Sequence, residues 1–246
     1  DKMTFIIFVN NEVNIKIFYY LCSNIINSCL KINNKETMTI LQSISYTLKN
    51  WEIIFEKDNY KEISLSGRIG LLGELLVLKD IIFKNIDVIT GLNSWRGADG
   101  DSQDFIYKKH ALEIKTKLIS SQKNMSIASL EQLDNENKEI YIILNYLSVS
   151  NKDVKETLTL SSLIKSIVDK IENNSIEKDI FIGKLIRAGI DFDKTNLEEC
   201  YMLVNRLFLK VDDNFPKITK SMISSSILKV RYDINIENLD KFERSI

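Results

Sequence analysis

The sequence predicts a mixed α/β chain. Its core runs helix, strand, strand, strand, helix, strand, with an α/β addition before it and an α+β addition after it. Three observations carry this. Over 66–84, Ile69, Leu72, Leu75, Leu76, Ile82 and Phe83 recur at helical spacing. Over 111–119, Leu112, Ile114, Thr116 and Leu118 alternate with Glu113, Lys115 and Lys117, which is the period of a strand. Residues 139–149 form a strongly apolar run of strand length.

In chain order, 4–9 is an apolar stretch that reads as a strand. It is too short to span a bilayer and has no signal-peptide layout. Residues 15–30 and 37–55 read as helices, and the helix over 66–84 follows. Residues 87–90 suit a short strand and 91–102 a loop. Residues 103–107 and 111–119 suit a strand pair turning at Lys108-Lys109. Residues 126–133 read as a short helix and 139–149 as a strand. Beyond Ser150 the character changes. Residues 158–171 and 175–188 look like amphipathic helices. Residues 200–211 and 226–236 look like long strands, separated by Asp212-Asp-Asn-Phe-Pro216. The expected division is residues 1–62 packed on the core, 63–150 as the core, and 151–246 as the extension.

Composition bounds the function. Net charge is −1 and the pI about 6.1, so the whole molecule is not a basic nucleic-acid sponge. A local basic stripe is enough for phosphate contacts, and Lys108, Lys109, Lys115 and Lys117 supply one candidate. Lys108 and Lys109, at a turn, read better as solvated residues. Cys22, Cys29 and Cys200 lack metal-ligand spacing, which predicts reduced core thiols in a cytoplasmic protein. His110 is the single histidine, so a His-cluster zinc site is excluded, and a turn or strand start suits it. No membrane association is expected. The chain begins at Asp1 and not at Met, so sequence upstream of it is open.

The chemistry points to Asp104 and to Glu113-Ile-Lys115. Two carboxylates can hold a hard divalent cation, and an ammonium can sit beside an attacking water. On a strand, Glu113 and Lys115 share a face, roughly 6.6–6.8 Å apart. With 33 Lys+Arg and 34 Asp+Glu, acid-x-Lys also arises by chance, as at Glu136-Asn-Lys138 and Asp153-Val-Lys155. Those two lie in polar runs. Only Glu113-Ile-Lys115 combines strand alternation with an Asp at hairpin distance. A surface salt-bridged strand is the competing reading. Glu74 adds a third carboxylate. Its helical neighbours Gly70, Leu71, Val77 and Leu78 are small or apolar, and a carboxylate there needs a metal, a proton or a partner. Arg68, Arg96 or a backbone amide are the structural partners to weigh.

Taken together, Gly70-Leu-Leu-Gly-Glu74-Leu-Leu, Trp95-Arg-Gly97, Gln103-Asp104-Phe105, Glu113-Ile-Lys115-Thr116, Ile127-Ala-Ser-Leu-Glu-Gln132-Leu133 and Phe215-Pro216-Lys-Ile218 resemble the PD-(D/E)XK, restriction-endonuclease-like superfamily. The closer likeness is to its bacterial "PD-(D/E)XK motif protein" branch. It covers about residues 66–150 specifically and the C-terminal part loosely. Gln103 stands where the signature has proline, a position that is not a ligand. The Gln-then-Tyr nuclease motif is incomplete, since Glu136 follows Gln132 at that offset.

The resemblance implies a restriction-endonuclease-like αβββαβ core and a DNA endonuclease using Mg²⁺, with Mn²⁺ able to substitute. Asp104 and Glu113 would ligate metal, Glu74 would add a ligand directly or through water, and Lys115 would position the water. Lys117, Gln132 and Arg96 are the DNA-contact candidates. Gln132 also fits as a surface residue, and Trp95 fits better as packing over the sheet edge than as a DNA contact. The resemblance further implies bacterial restriction or anti-phage gene clusters and leaves room for a homodimer and for an ATPase or methyltransferase partner. A catalytically inactive DNA-binding or assembly subunit is the alternative, and an RNA-processing protein a third.

Overall fold

The computed structural model describes residues 6–7, 15–30, 37–55, 63–134, 137–171, 175–192 and 195–244. The chain forms two compact units, residues 1–60 with 173–183, and residues 61–172 with 184–246. In the first, α1 (Ile15–Leu30) and α2 (Thr37–Phe55) pack on each other and bury Leu21, Ile25 and Ile44. The strand expected over 4–9 lies outside the described residues except for Ile6 and Ile7, which are not in a strand.

The second unit opens with α3 (Leu65–Val77). Ser64 caps it by accepting from the Gly67 amide at 3.1 Å. The predicted 66–84 helix is not uniform in its winding. A π-helical turn, Leu78–Ile82, leads into the short α4 (Phe83–Asn85). The expected strand over 87–90 is instead the start of α5 (Val88–Ser94). Asp87 caps it, accepting from the Thr90 amide at 2.9 Å. Its Gly91 lies so close to Phe83 that a Cβ would come within 2.8 Å of the ring. Capping and close packing override the β-propensity of Val88 and Ile89.

The main sheet has four strands in the order β1-β2-β4-β5. β1 (Phe105–Tyr107) and β2 (His110–Leu118) form the expected hairpin, turning at Lys108-Lys109 with Lys108 at φ 53°. β4 (Glu139–Val149) runs parallel to β2, as its continuous apolar sequence suits, since it is covered on both faces. β5 (Tyr201–Lys210) is antiparallel to β4 with a bulge at Tyr146/Leu147, so the C-terminal stretch completes the core sheet. The helix predicted over 158–171 is α6 (Leu160–Lys170), and that over 175–188 is α7 (Ser175–Arg187). The mixed four-stranded sheet with its flanking helices is consistent with the restriction-endonuclease-like core that the sequence resemblance implies.

Two further elements differ from expectation. The short helix over 126–133 is β3 (Asn124–Ile127) followed by a 3-10 turn, Leu130–Gln132. Met125 and Ile127 are buried in alternation because β6 (Tyr232–Asn235) pairs with β3 across more than a hundred residues of sequence. The long strand over 226–236 shrinks to β6 alone, and residues 226–229 are exposed.

The main sheet has two unlike faces. Ala111 of β2 and Ile140, Ile142 and Leu144 of β4 share a core with Met125, Ile127, Phe215 and Ile234, beneath the β3–β6 pair. Glu113 and Lys115 project on this same face. The opposite face packs on α3. A Cβ on Gly73 would stand 1.7 Å from Thr116 Oγ1 and 3.1 Å from Asn145 Nδ2. Gly73→Ala should therefore lower stability by about 2 kcal/mol. The overpacking cost outweighs the roughly 1 kcal/mol that alanine contributes to a helix. A calorimetric Tm at or above wild type would overturn this close approach, and Thr116→Ala in the same chain should recover part of the loss.

Candidate active site

The β1–β2 register pairs Phe105 with Leu112, which sets Asp104 opposite Glu113 at the open end of the hairpin. The backbone holds Asp104 firmly. Its N–H donates to Leu112 O at 3.0 Å, and its carbonyl accepts from the Arg96 and Gly97 amides at 2.7 and 3.0 Å. Its Oδ2 accepts from the Ile114 amide at 2.6 Å. Glu113 is 2% exposed, with Oε1 2.8 Å from Lys115 Nζ. Its Oε2 is buried without a hydrogen-bond partner. Glu74 arrives from α3, and its Oε2 accepts from the Trp95 indole at 2.7 Å. Neither Arg68 nor Arg96 takes the place of that indole. Arg68 makes a bidentate pair with Glu199, and Arg96 an ion pair with Asp101 at 2.7 Å.

The electrostatics follow from burial and crowding. Burial raises Glu74 well above the ordinary carboxylate range, and the Asp104 and Glu113 charges add to it. Burial pushes Asp104 up to about 6, against the Ile114 amide and the Lys115 ammonium. Burial and then Asp104 push Glu113 up to about 8. The ion pair with Lys115 alone would argue for an ionised Glu113. Burial prevails, because only one of its two oxygens is compensated. The three carboxylates and the ammonium thus occupy one electrostatic site.

Gln132 belongs to the same cluster. Its Oε1 accepts from the Ala128 amide at 2.8 Å and lies 3.5 Å from Lys115 Nζ. Lys117 shares the face, but its ammonium is held by the carbonyls of Gln122 and, at 2.7 Å, Asn124. Arg96 stays about half exposed beside the carboxylates, at 45%. His110 begins β2 and lies 3.5 Å from Glu139, away from the site.

Several supporting residues were not anticipated as such. Trp95 is fully buried, as its packing reading required, and also fixes Glu74. A Cβ on Gly97 would come 2.6 Å from Asp104 Oδ1 and 3.0 Å from Glu74 Oε2, so this glycine leaves room for both carboxylates. Buried Gln103, at the signature's proline position, donates to the Glu131 carbonyl and ties the Asp104 loop to the turn carrying Gln132. Buried Lys184 donates to the Trp95 carbonyl and to Asp99 at 2.7 Å, and Arg187 pairs with Asp99 at 2.9 Å. A glycine and an amide beside the motif are local signals that could have been read. Nothing in the sequence links Lys184 to Trp95.

The donors present are carboxylate oxygens, which suit hard cations such as Mg²⁺ or Mn²⁺. The unpartnered Glu113 oxygen and the space at Gly97 fit such an ion. Among the described residues no group of three or more His, Cys, Asp or Glu is arranged to hold a metal ion. The fit is one of donor chemistry and charge.

No curated protein and no solved structure matches the chain. The family model described as "Putative PD-(D/E)XK family member, (DUF4420)" matches residues 1–237, and the chain belongs to that family.

Proposed function

We propose that this protein is a metal-dependent DNA endonuclease that hydrolyses phosphodiester bonds. It would act in the cytoplasm as a subunit of a bacterial restriction or anti-phage defence system, alone or as a homodimer, with an ATPase or methyltransferase as candidate partners. The observation that carries the reading is the buried, unpartnered oxygen of Glu113 beside Asp104 and Lys115. An orphaned buried carboxylate oxygen is costly in a purely structural ion pair and useful in a cation site.

In this reading Asp104 and Glu113 would hold Mg²⁺ or Mn²⁺, with Glu74 as a further ligand directly or through water. The bound cation supplies charge neutralisation at the phosphate and a more acidic water. Lys115 would orient the attacking water and face the charge developing on the phosphate, while Gln132 steadies its ammonium. Trp95 fixes the carboxylate of Glu74. Arg96 is the exposed phosphate contact. Lys117, tied to two carbonyls, contributes positive potential from beside the strand.

Purified protein should cut duplex DNA with Mg²⁺ and stop when the metal is chelated. Glu74→Gln should slow cutting by roughly 10–100-fold, as expected when a ligand or its support is lost, with Tm preserved. Wild-type cutting by a well-folded Glu74→Gln protein would return Glu74 to a structural role. Binding without cutting by the wild type, across plasmid, linear and single-stranded substrates, would favour the inactive assembly subunit.

A further inference from the structure

Resting on that reading of the site, we propose that the 216–231 loop between β5 and β6 is an arm that grips duplex DNA beside Lys115. In it Lys217, Lys229 and Arg231 contact phosphates, and Leu228 enters the groove as an apolar wedge.

Charge is the first support. Beyond Asp212 and Asp213 at the start of the β5–β6 connection, residues 216–231 contain Lys217, Lys220, Lys229 and Arg231 and no Asp or Glu, in a chain of net charge −1. Lys220 is spent on anchoring the loop. Its ammonium is 3.1 Å from Glu131, and its amide donates to Asp134 at 2.7 Å. Among the described residues, Lys217, Lys229 and Arg231 have no carboxylate partner, and Arg231 bonds only Ser126 Oγ at 3.4 Å. Three cations without a carboxylate partner on one loop match a polyanion.

Position is the second. β3 and β6 cover the sheet face that carries Glu113 and Lys115, and the loop leads into β6. Its first leg is pinned where the Ile218 amide donates to the Tyr232 hydroxyl at 3.2 Å. Its return leg, Ile223 and residues 227–230, borders a groove of about 70 Å³ with Ser129, Leu130 and Glu131. The next residue, Gln132, is the one that touches Lys115.

The third is an apolar tip that the fold leaves unburied. Leu228 is 97% exposed, Met222 68% and Ile227 48%, although Phe215 and Ile234 at the loop's two ends are buried in the core. Single exposed apolar residues are ordinary, but three within seven positions, flanked by cations that no carboxylate neutralises, form a patch. Leu, Ile and Met are the side chains that enter between base steps in the minor groove, where neighbouring cations hold the backbone.

The test uses a labelled duplex containing 2-aminopurine, with binding measured without divalent cation over a salt series. The triple variant Lys217→Gln, Lys229→Gln, Arg231→Gln should bind about tenfold or more weakly and lower the log–log salt slope by about 2.7, three phosphates at about 0.9 each. Leu228→Ser should keep the slope and lose the 2-aminopurine fluorescence rise, and Leu228→Met should keep both. All these side chains are partly or fully exposed, so Tm should hold. If the wild type cuts DNA while both variants bind with its slope and fluorescence, the arm is wrong and the nuclease reading stands; the loop then serves a protein partner. If the wild type neither binds nor cuts, the site reading fails and the arm fails with it.

Discussion

Asp104→Ala and Lys115→Ala should each lower metal-dependent DNA cleavage by about 10³-fold or more, and the double variant should be little worse than either single one. Cation binding and water positioning act as a unit, so removing one part leaves the others without a task. The fold predicts opposite effects on binding. Asp104 is a negative charge beside the phosphate path, so Asp104→Ala should bind DNA as tightly as the wild type or more tightly without metal. Lys115→Ala removes a cation and should flatten the salt slope by about 0.9. It also strips Glu113 of its 2.8 Å partner, which should push that carboxyl further up and weaken metal binding at neutral pH. Cleavage and binding must be measured separately, with contaminating nuclease excluded. Robust cutting by purified Asp104→Ala protein would remove the catalytic assignment.

Metal-free protein should lose stability as pH rises from about 4.5 to 8. Glu113 is pushed from 4.5 up to about 8, and Asp104 from 3.8 up to about 6, both chiefly by burial. A carboxyl whose pKa is raised on folding binds its proton more tightly in the folded state. Its contribution is therefore whole below the unfolded pKa and is lost as pH climbs through the folded one. For Glu113 the loss is on the order of 4 kcal/mol. Mg²⁺ or Mn²⁺ competes with those protons, so the Tm gain on adding metal should grow over the same interval. Scanning calorimetry with and without metal tests both halves, and Glu113→Gln should flatten the metal-free profile. A Tm that is level or rising between pH 5 and 8 in metal-free wild type would contradict the protonated, buried carboxyl.

Local sequence determined the elements whose periodicity is strong. The helix over 66–84, the hairpin turning at Lys108-Lys109 and the apolar strand over 139–149 are all present, because a period of 3.6 or 2 fixes which face is buried before any partner is chosen. The same alternation put Glu113 and Lys115 on one face, and the short gap put Asp104 opposite Glu113. Elsewhere the decision was made at long range. Ile127, Leu130 and Leu133 fit a helix by spacing, yet residues 124–127 form a strand because β6 supplies the hydrogen-bonding edge. Val88 and Ile89 favour a strand by type, yet the Asp87 cap and the close packing of Gly91 on Phe83 turn them into a helix.

For the site, the sequence by itself determined the identities of Glu74, Asp104, Glu113 and Lys115 and the shared face of the last two. Only the tertiary structure decided what those groups meet. It set the Trp95 indole on Glu74, left one oxygen of Glu113 buried and bare, brought Gln132 to Lys115 and tied Lys117 to backbone carbonyls. The reason is physical. A residue's type and its side of a strand are local properties. Its desolvation comes from the segments that pack over it, and that burial, with Asp104 beside it, is what pushes Glu113 up to about 8 against its pairing with Lys115.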